Sequence, residues 1–286
     1  MKKTYHLPKF VIFLLALTCI VWACKSKKDE PVEAFQEPVT EKAAPTDSLL
    51  TDSTARINEV PMPTKKADEL FDDFAFAFMK NSKFQKQRVK FPLTHKVDGS
   101  TQQISEKQWR HDSMYSEYEM YTLIFDNAKA EKAAKDTTLH HVVVEEFDLE
   151  SQRAKSYDFE RTDGEWHLTA LTESAMGESV NSDFYDFYHK FATDEDFQLD
   201  HIASPLHFST FDDEEFKTVE LEIEPDEFAQ FAPELPKTKI TNILYGQKYK
   251  NSKLRILSLR APASGMECQM VFKKEDGKWM LTRLDN

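Results

Sequence analysis

Glycine is scarce in this chain, with six residues in 286, and each glycine stands alone. The sequence therefore contains no glycine-rich phosphate loop and no G-x-S-x-G nucleophile motif. The H-E-x-x-H zinc motif is also absent. These absences remove the common signatures of nucleotide, serine-hydrolase and zinc-peptidase chemistry. We predict no catalytic residue, no metal ligand and no cofactor.

Basic residues are outnumbered, with 37 Lys and Arg against 50 Asp and Glu, and the formal net charge is -13. Such a surface repels phosphate backbones, so nucleic acid is excluded as a partner. The acidic runs at residues 145–146, 194–196 and 212–215 are expected to be solvated. His140 and His141 are neighbours on a predicted strand, where they point to opposite faces and cannot chelate one ion together.

The amino terminus is built as a secretion signal. Lys2 and Lys3 precede an apolar run over residues 10–23, which is short for a membrane span and typical of a signal peptide. The run ends in VWAC, residues 21–24, which resembles the lipobox of bacterial lipoproteins. The resemblance implies cleavage after residue 23 and a lipid on Cys24. A cut at Cys19 and an uncleaved membrane anchor are the alternatives.

Residues 24–66 form a predicted flexible linker. The stretch has five prolines, many acids and few apolar residues, so it cannot bury enough surface to fold. Lys25, directly after the lipid site, favours the outer membrane by lipoprotein sorting. We therefore predict an outer-membrane lipoprotein of the cell envelope, with its folded part facing the periplasm or the cell surface. Cys268 is left without a partner and is expected to be a buried thiol, with a reactive thiol as the alternative.

The remainder of the chain contains an internal sequence repeat. TDGEWHLTAL at residues 162–171 recurs as EDGKWMLTRL at residues 275–284, an offset of 113. The same offset relates residues 71–93 to residues 184–206, and an offset of 119 applies between these blocks. Length changes of this kind fall in loops, where insertions are tolerated. The pattern predicts a duplication with domains at residues 67–174 and 181–286.

Both copies predict the same α+β unit. Phe71, Phe74, Ala75 and Phe78 lie on one face of a helix at residues 68–81, and Ser182–Thr193 repeats that pattern. A short helix, a hairpin, a third short helix and four strands follow in each copy. Asp-Gly pairs at residues 98–99, 163–164 and 276–277 predict hairpin turns.

This order of elements resembles the cystatin-like α+β cone of the nuclear-transport-factor-2-like (NTF2-like) superfamily. FPL after FQKQRVK, the ISEKQW segment and the DGEW hairpin, duplicated behind a lipobox, are similar to a family of bacterial lipoproteins of unknown function. The resemblance implies two tandem cone-like domains. In each, a curved antiparallel sheet wraps a long N-terminal helix and leaves a pocket at its open end.

Aromatic residues of the first copy supply the candidate ligand site. Trp109, Tyr115, Tyr118 and Tyr121 could line the mouth of a cone, and His141 could enter it. Apolar walls with a few polar tips suit a small apolar ligand. Core packing is the competing interpretation. The second copy lacks the tyrosines, so a binding role would belong to one copy alone.

The sequence thus favours a lipid-anchored, non-enzymatic binding module for a small apolar ligand or an envelope protein. Two alternatives remain open. One is an acid–base hydrolase or isomerase that uses one cone pocket. The other is a structural envelope scaffold whose two domains bury each other.

Overall fold

The computed structural model describes residues 65–261 and 266–286. The predicted signal peptide, Cys24 and all but the last two residues of the predicted linker lie outside the described residues. The described part begins with a 3-10 helix at Lys65–Asp68. We refer to residues 65–178 as the first half and to residues 182–286 as the second half.

Each half contains six strands and two main helices, in the same order along the chain. The first half contains α1 (Phe71–Lys80), α2 (Ser82–Gln87), β1 (Val89–Val97), β2 (Ser100–Ile104), β3 (Tyr121–Phe125), β4 (His141–Asp148), β5 (Arg153–Thr162) and β6 (Glu165–Ala175). The second half contains α3 (Ser182–Thr193), α4 (Glu195–Leu199), β7 (Ile202–Asp212), β8 (Lys217–Ile223), α5 (Phe228–Phe231), β9 (Lys239–Leu244), β10 (Leu254–Ala261), β11 (Met266–Glu275) and β12 (Lys278–Asp285). The predicted α+β class is confirmed.

The helices are shorter than the resemblance implied. α1 has 10 residues and α3 has 12, so neither is long, and they span about 15 and 18 Å. Their apolar faces are as predicted, because Phe74, Phe78 and Phe191 are fully buried. The third short helix of the first half is a single 3-10 turn at Met114–Glu117, whereas the second half has Pro225–Glu227 leading into α5.

The strands form two six-stranded sheets, in the orders β2-β1-β6-β5-β4-β9 and β3-β10-β11-β12-β7-β8. The sheets are mixed, since β1 runs parallel to β6 and β7 runs parallel to β12. The expectation of wholly antiparallel sheets was therefore wrong. β1 and β6 are not consecutive in the chain, and neither are β7 and β12, so no hairpin forces either pair to be antiparallel.

The two halves exchange their third strands. β3 pairs with β10 of the second half, where Phe125 lies opposite Ile256. β9 pairs with β4 of the first half, where Ile243 lies opposite Val144. Each sheet therefore takes one strand from the other half. The predicted division into domains at residues 67–174 and 181–286 follows the sequence repeat, and for the structure it stays a prediction.

Reciprocal hydrogen bonds join the exchanged strands where they cross. The backbone nitrogen of Thr122 donates to Oγ1 of Thr241 at 2.9 Å, and the backbone nitrogen of Thr241 donates to Oγ1 of Thr122 at 2.9 Å. Each hydroxyl then donates to the backbone oxygen of the other residue, at 2.6 and 2.7 Å. Both threonines are fully buried. Thr122 and Thr241 are 119 positions apart, which is the second offset of the sequence repeat.

The repeated DGxW hairpins support the two apolar cores. In the first half, the Phe71 ring lies edge-on to Phe159 at 5.3 Å and to Trp166 at 5.1 Å between ring centroids. The same arrangement recurs 113 residues later with Phe184, Phe272 and Trp279. Trp166 is 1% exposed, so its predicted role in core packing is confirmed. The hairpin turn beside it is also confirmed, with φ of 53° at Asp163 and 84° at Gly164.

Candidate functional site

A cavity of about 530 Å³ opens in the first half, beside the point where the exchanged strands cross. Its wall is formed by α1, by the turn at Met114–Glu117, and by residues of β3 and of the segment that ends β9. We call it the tyrosine cavity because four tyrosine side chains line it: Tyr115, Tyr118, Tyr121 and Tyr245. The first three are among the predicted ligand residues.

Two of the four tyrosines are in direct ring contact. The rings of Tyr115 and Tyr121 are 5.1 Å apart between centroids. Tyr115 is buried, whereas Tyr118 and Tyr121 are partly exposed to the cavity. Phe76 of α1 stands at the rim with 57% of its surface exposed. The structure places the three predicted tyrosines at one cavity, and their role in binding stays a prediction.

The other two predicted residues do not line this cavity. The Trp109 ring packs against Phe91 of β1 at 6.2 Å between centroids. His141 is exposed, and its Nε2 lies 3.0 Å from Oδ1 of Asp158. On β4 the side chains of Val142 and Val144 face the core of the first half. His141 therefore lies on the opposite face, since neighbouring residues of a strand alternate.

A desolvated carboxyl group marks the polar end of the cavity. The Tyr245 hydroxyl donates to Oδ1 of Asp72 at 2.5 Å. Burial raises the pKa of Asp72, and the hydrogen bond from Tyr245 only partly opposes this. Sequence analysis missed the pair because these residues are 173 positions apart and lie in different halves.

An arginine next to Tyr121 is already paired with a carboxylate. Arg260 donates to Oε1 of Glu267 through Nη2 at 2.9 Å and through Nε at 3.2 Å. It also hydrogen-bonds Tyr121, which opposes the rise that burial causes in the pKa of that tyrosine. This arginine contacts the lining residue Tyr121 but does not itself line the cavity.

The corresponding place in the second half also holds a cavity, of about 500 Å³, but Glu234, Leu235 and Lys237 stand there in place of Tyr115, Ser116 and Tyr118. The repeat offsets match Asp72 with Tyr185, and Arg260 with Phe147. The rings of Phe147 and Tyr185 lie 4.0 Å apart between centroids with 40° between their planes, and both are fully buried. Aromatic packing therefore replaces Asp72 and Arg260 at this place, and the tyrosine lining distinguishes the first cavity from the second.

A second polar cluster adjoins the cavity and consists of Asp112, Glu146, Lys155 and Tyr157; we call it the Glu146 cluster. The Tyr157 hydroxyl lies 3.0 Å from Oδ2 of Asp112 and 2.8 Å from Oε2 of Glu146. Lys155 Nζ donates to Oδ2 of Asp112 at 2.6 Å. The Tyr118 hydroxyl, on the cavity wall, is 3.4 Å from Oε1 of Glu146.

One proton must be shared within this cluster. A phenol has a single proton and can donate to only one of two carboxyl groups. Burial acts to raise the pKa of Asp112, but the hydrogen bond and the charge of Lys155 outweigh it and hold that pKa below its usual range. Burial raises the pKa of Glu146. The bonds are all satisfied when a protonated Glu146 donates to Tyr157 and Tyr157 donates to an ionised Asp112.

The second half replaces this cluster with apolar residues. The repeat offsets match the four polar residues with Phe231, Leu259, Cys268 and Met270. Cys268 is fully buried, as predicted, and burial raises the pKa of its thiol to about 12. Buried polar groups cost free energy that apolar packing does not. Since the same fold is built without them in the second half, the polar residues of the first half are not required by the architecture.

Across residues 65–261 and 266–286, no helix combines the length and apolar character needed to cross a bilayer. Over the same residues, the structure holds no group of three or more His, Cys, Asp or Glu side chains arranged to bind a metal ion.

Comparisons with known proteins agree on the fold and leave the activity open. A search of curated proteins found no match. The structure is similar to a crystal structure of an NTF2-like protein from Bacteroides fragilis, with a TM-score of 0.72 and 35% sequence identity, covering 79% of this chain and 98% of that one. Residues 50–286 match the family described as "Domain of unknown function (DUF4348)". The chain therefore belongs to the DUF4348 family.

Proposed function

We propose that this protein is a non-enzymatic binding module that holds a small organic molecule in the tyrosine cavity. The observation that carries the proposal is the lining of this cavity. The matching cavity of the second half, of about 500 Å³, has no tyrosine in its wall, and Phe147 and Tyr185 pack where Arg260 and Asp72 would stand, whereas the first cavity has about 530 Å³ lined by four tyrosines around Asp72. A cavity of this size, with apolar walls and few polar groups, has the usual build of a small-ligand site.

The polar groups of the cavity support the same proposal. Ser116 is a lining residue of the cavity, and its buried hydroxyl has no hydrogen-bond partner within the described part of the chain. Buried polar atoms are normally paired, so an unpaired hydroxyl at a cavity wall is a place where a ligand atom could bind.

Native mass spectrometry of the protein isolated from its own cells tests the proposal. We expect a non-covalent small molecule to accompany the protein. Ser116→Phe should abolish this added mass, because the new ring occupies the cavity and no protein hydrogen bond to the Ser116 side chain is lost. Ser113→Phe is the matched control, since Ser113 lies in the same segment but does not line the cavity. An unliganded wild-type protein, or equal ligand in Ser116→Phe, would contradict the proposal.

An acid–base enzyme is the second candidate, and the Glu146 cluster favours it. The pKa of Glu146 is raised and that of Asp112 is lowered, and opposite pKa changes in two neighbouring carboxyl groups are how acid and base roles are separated in enzymes. Tyr118 connects the cluster to the cavity. If this candidate is right, the co-purified molecule is converted to a product in solution, and Tyr157→Phe stops the conversion without releasing the molecule.

A structural scaffold is the third candidate. The exchanged strands bury the two halves against each other, as a scaffold would require. The unfilled cavity of the first half argues against a purely structural role. A stable envelope-protein partner, with no small molecule retained, would favour this candidate over the first.

The proposed location rests on the sequence. We propose that a lipid on Cys24 and the linker that follows tether the folded part to the outer membrane. Metabolic labelling with a tagged fatty acid should mark the wild-type protein and fail to mark Cys24→Ser. Protease treatment of intact cells would then separate a cell-surface location from a periplasmic one.

A further inference from the structure

The wall of the tyrosine cavity carries more acid than base. Three carboxyl groups line it, from Asp72, Asp73 and Glu119, against one ammonium group, from Lys80. Lys80 is already engaged, because its Nζ donates to the backbone oxygen of Ser116 at 3.0 Å. An anionic ligand would therefore enter against the charge of the wall.

Asp72 is the most informative of these carboxyl groups. Its hydrogen-bond donor is the neutral hydroxyl of Tyr245, and no lysine or arginine among the described residues forms an ion pair with it. Arg260 is near enough to act through its charge but is bound to Glu267. A desolvated carboxylate that lacks a paired cation is costly, and a cation brought by a ligand would offset that cost.

The remaining lining suits the same kind of ligand. The rings of Tyr115, Tyr118, Tyr121 and Tyr245 line the space in front of Asp72, and Phe76 stands at its rim. The faces of aromatic rings attract cations, and sites for organic ammonium groups are commonly built from several such rings. The same rings bury apolar carbon.

We propose that the ligand of the tyrosine cavity is a small organic cation, with an ammonium group bound by Asp72 and an apolar body held between the tyrosine rings. This inference rests on the proposed binding function and makes it more specific. It narrows the small apolar ligand predicted from the sequence to one that carries a positive charge.

Isothermal titration calorimetry of the whole protein with three matched probes tests this proposal. The probes are phenethylamine, which is cationic at neutral pH, phenethyl alcohol, which is neutral, and hydrocinnamate, which is anionic. A hydrogen bond to a charged group corresponds to a difference in affinity of about tenfold or more. We therefore expect phenethylamine to bind at least about tenfold more tightly than phenethyl alcohol, and hydrocinnamate to bind least.

The variant Asp72→Asn tests whether Asp72 causes the preference for phenethylamine over phenethyl alcohol. This variant should reduce the ratio of amine to alcohol affinity to about one, while leaving the alcohol bound. Asp186→Asn is the matched control, because Asp186 is exposed on α3 of the second half, and the ratio should not change. The ratio in the wild-type protein is informative even if Asp72→Asn fails to fold.

The outcomes separate this inference from the proposed function. Equal binding of phenethylamine and phenethyl alcohol overturns the cationic ligand and leaves the binding function intact. Tighter binding of hydrocinnamate also overturns it. A preference for the amine that survives in folded Asp72→Asn overturns the role of Asp72. If no probe binds and no molecule is retained in native mass spectrometry, both proposals are wrong.

Discussion

Glu145 gives a prediction that can be worked out from the structure. It lies on β4, on the face opposite the core of the first half, and is only 9% exposed. The expectation that this residue is solvated was therefore wrong, because residues of the second half cover this face of β4. Its contacts come from the second half: Asn242 Nδ2 donates to its Oε2 at 3.3 Å, and the charge of Glu145 acts on the buried Tyr185. Burial raises the pKa of Glu145 from 4.5 to about 7.

The sign of the effect on stability follows from this rise. Between pH 4.5 and about 7, the unfolded chain has lost the Glu145 proton and the folded protein still holds it. The contribution of Glu145 is therefore fully favourable below pH 4.5 and is lost as the pH rises through about 7. At 1.36 kcal/mol for each pH unit, the loss amounts to about 3 kcal/mol.

Glu145→Gln removes the titrating group and keeps its shape. Urea unfolding followed by tryptophan fluorescence, from about pH 5 to pH 8, should show the variant gaining stability relative to wild type as the pH rises, by up to about 3 kcal/mol. Glu160→Gln, at an exposed position on the neighbouring β5, is the control and should show a constant difference. Parallel wild-type and Glu145→Gln profiles over this range would refute the reasoning.

Three further predictions concern the exchanged strands, the Glu146 cluster and the thiol. Thr122→Val and Thr241→Val should each lower the free energy of unfolding, by about 1–3 kcal/mol and by similar amounts, because each leaves one backbone N–H and one carbonyl of the partner unpaired. Urea unfolding measures this free energy, and a loss at only one site would contradict the reciprocal arrangement. Tyr157→Phe should cost about 1–3 kcal/mol, because it leaves Asp112 and Glu146, both partly buried, without the Tyr157 hydroxyl, whereas Met270→Leu at the matching position should cost less than about 1.5 kcal/mol. Equal costs would argue against the shared proton. Cys268 should resist iodoacetamide in the folded protein and react in urea, and rapid labelling of the native thiol would contradict its burial.

Local features of the fold were predictable because local chemistry determines them. The Asp163-Gly164 turn follows from the need for positive φ in a tight hairpin, and Phe74 and Phe78 follow from the period of a helix. The exchange of β3 and β9 was not predictable in this way. Both strands present the same buried pattern, with Ile124 and Ile243 in matching positions, so either could complete either sheet.

The candidate site divides in the same manner. The three tyrosines near residue 118 were predictable as a group because they are close in sequence and project from one segment. The Asp72–Tyr245 bond was not, because the strand exchange brings Tyr245 into the first half. One signal for this site was present in the sequence. The repeat offset pairs residues of similar type elsewhere, but it pairs Tyr245 with Asp126. Positions where a duplicated chain departs from its own pattern are therefore the places to search for function.

A crystal structure of the protein purified from its own cells tests most directly whether the first half holds a ligand. We predict electron density for a small molecule against the rings of Tyr121 and Tyr245, with a nitrogen atom within hydrogen-bond distance of the Asp72 carboxylate. A tyrosine cavity that contains only water, or that is closed by Phe76 turning inward, would contradict the account.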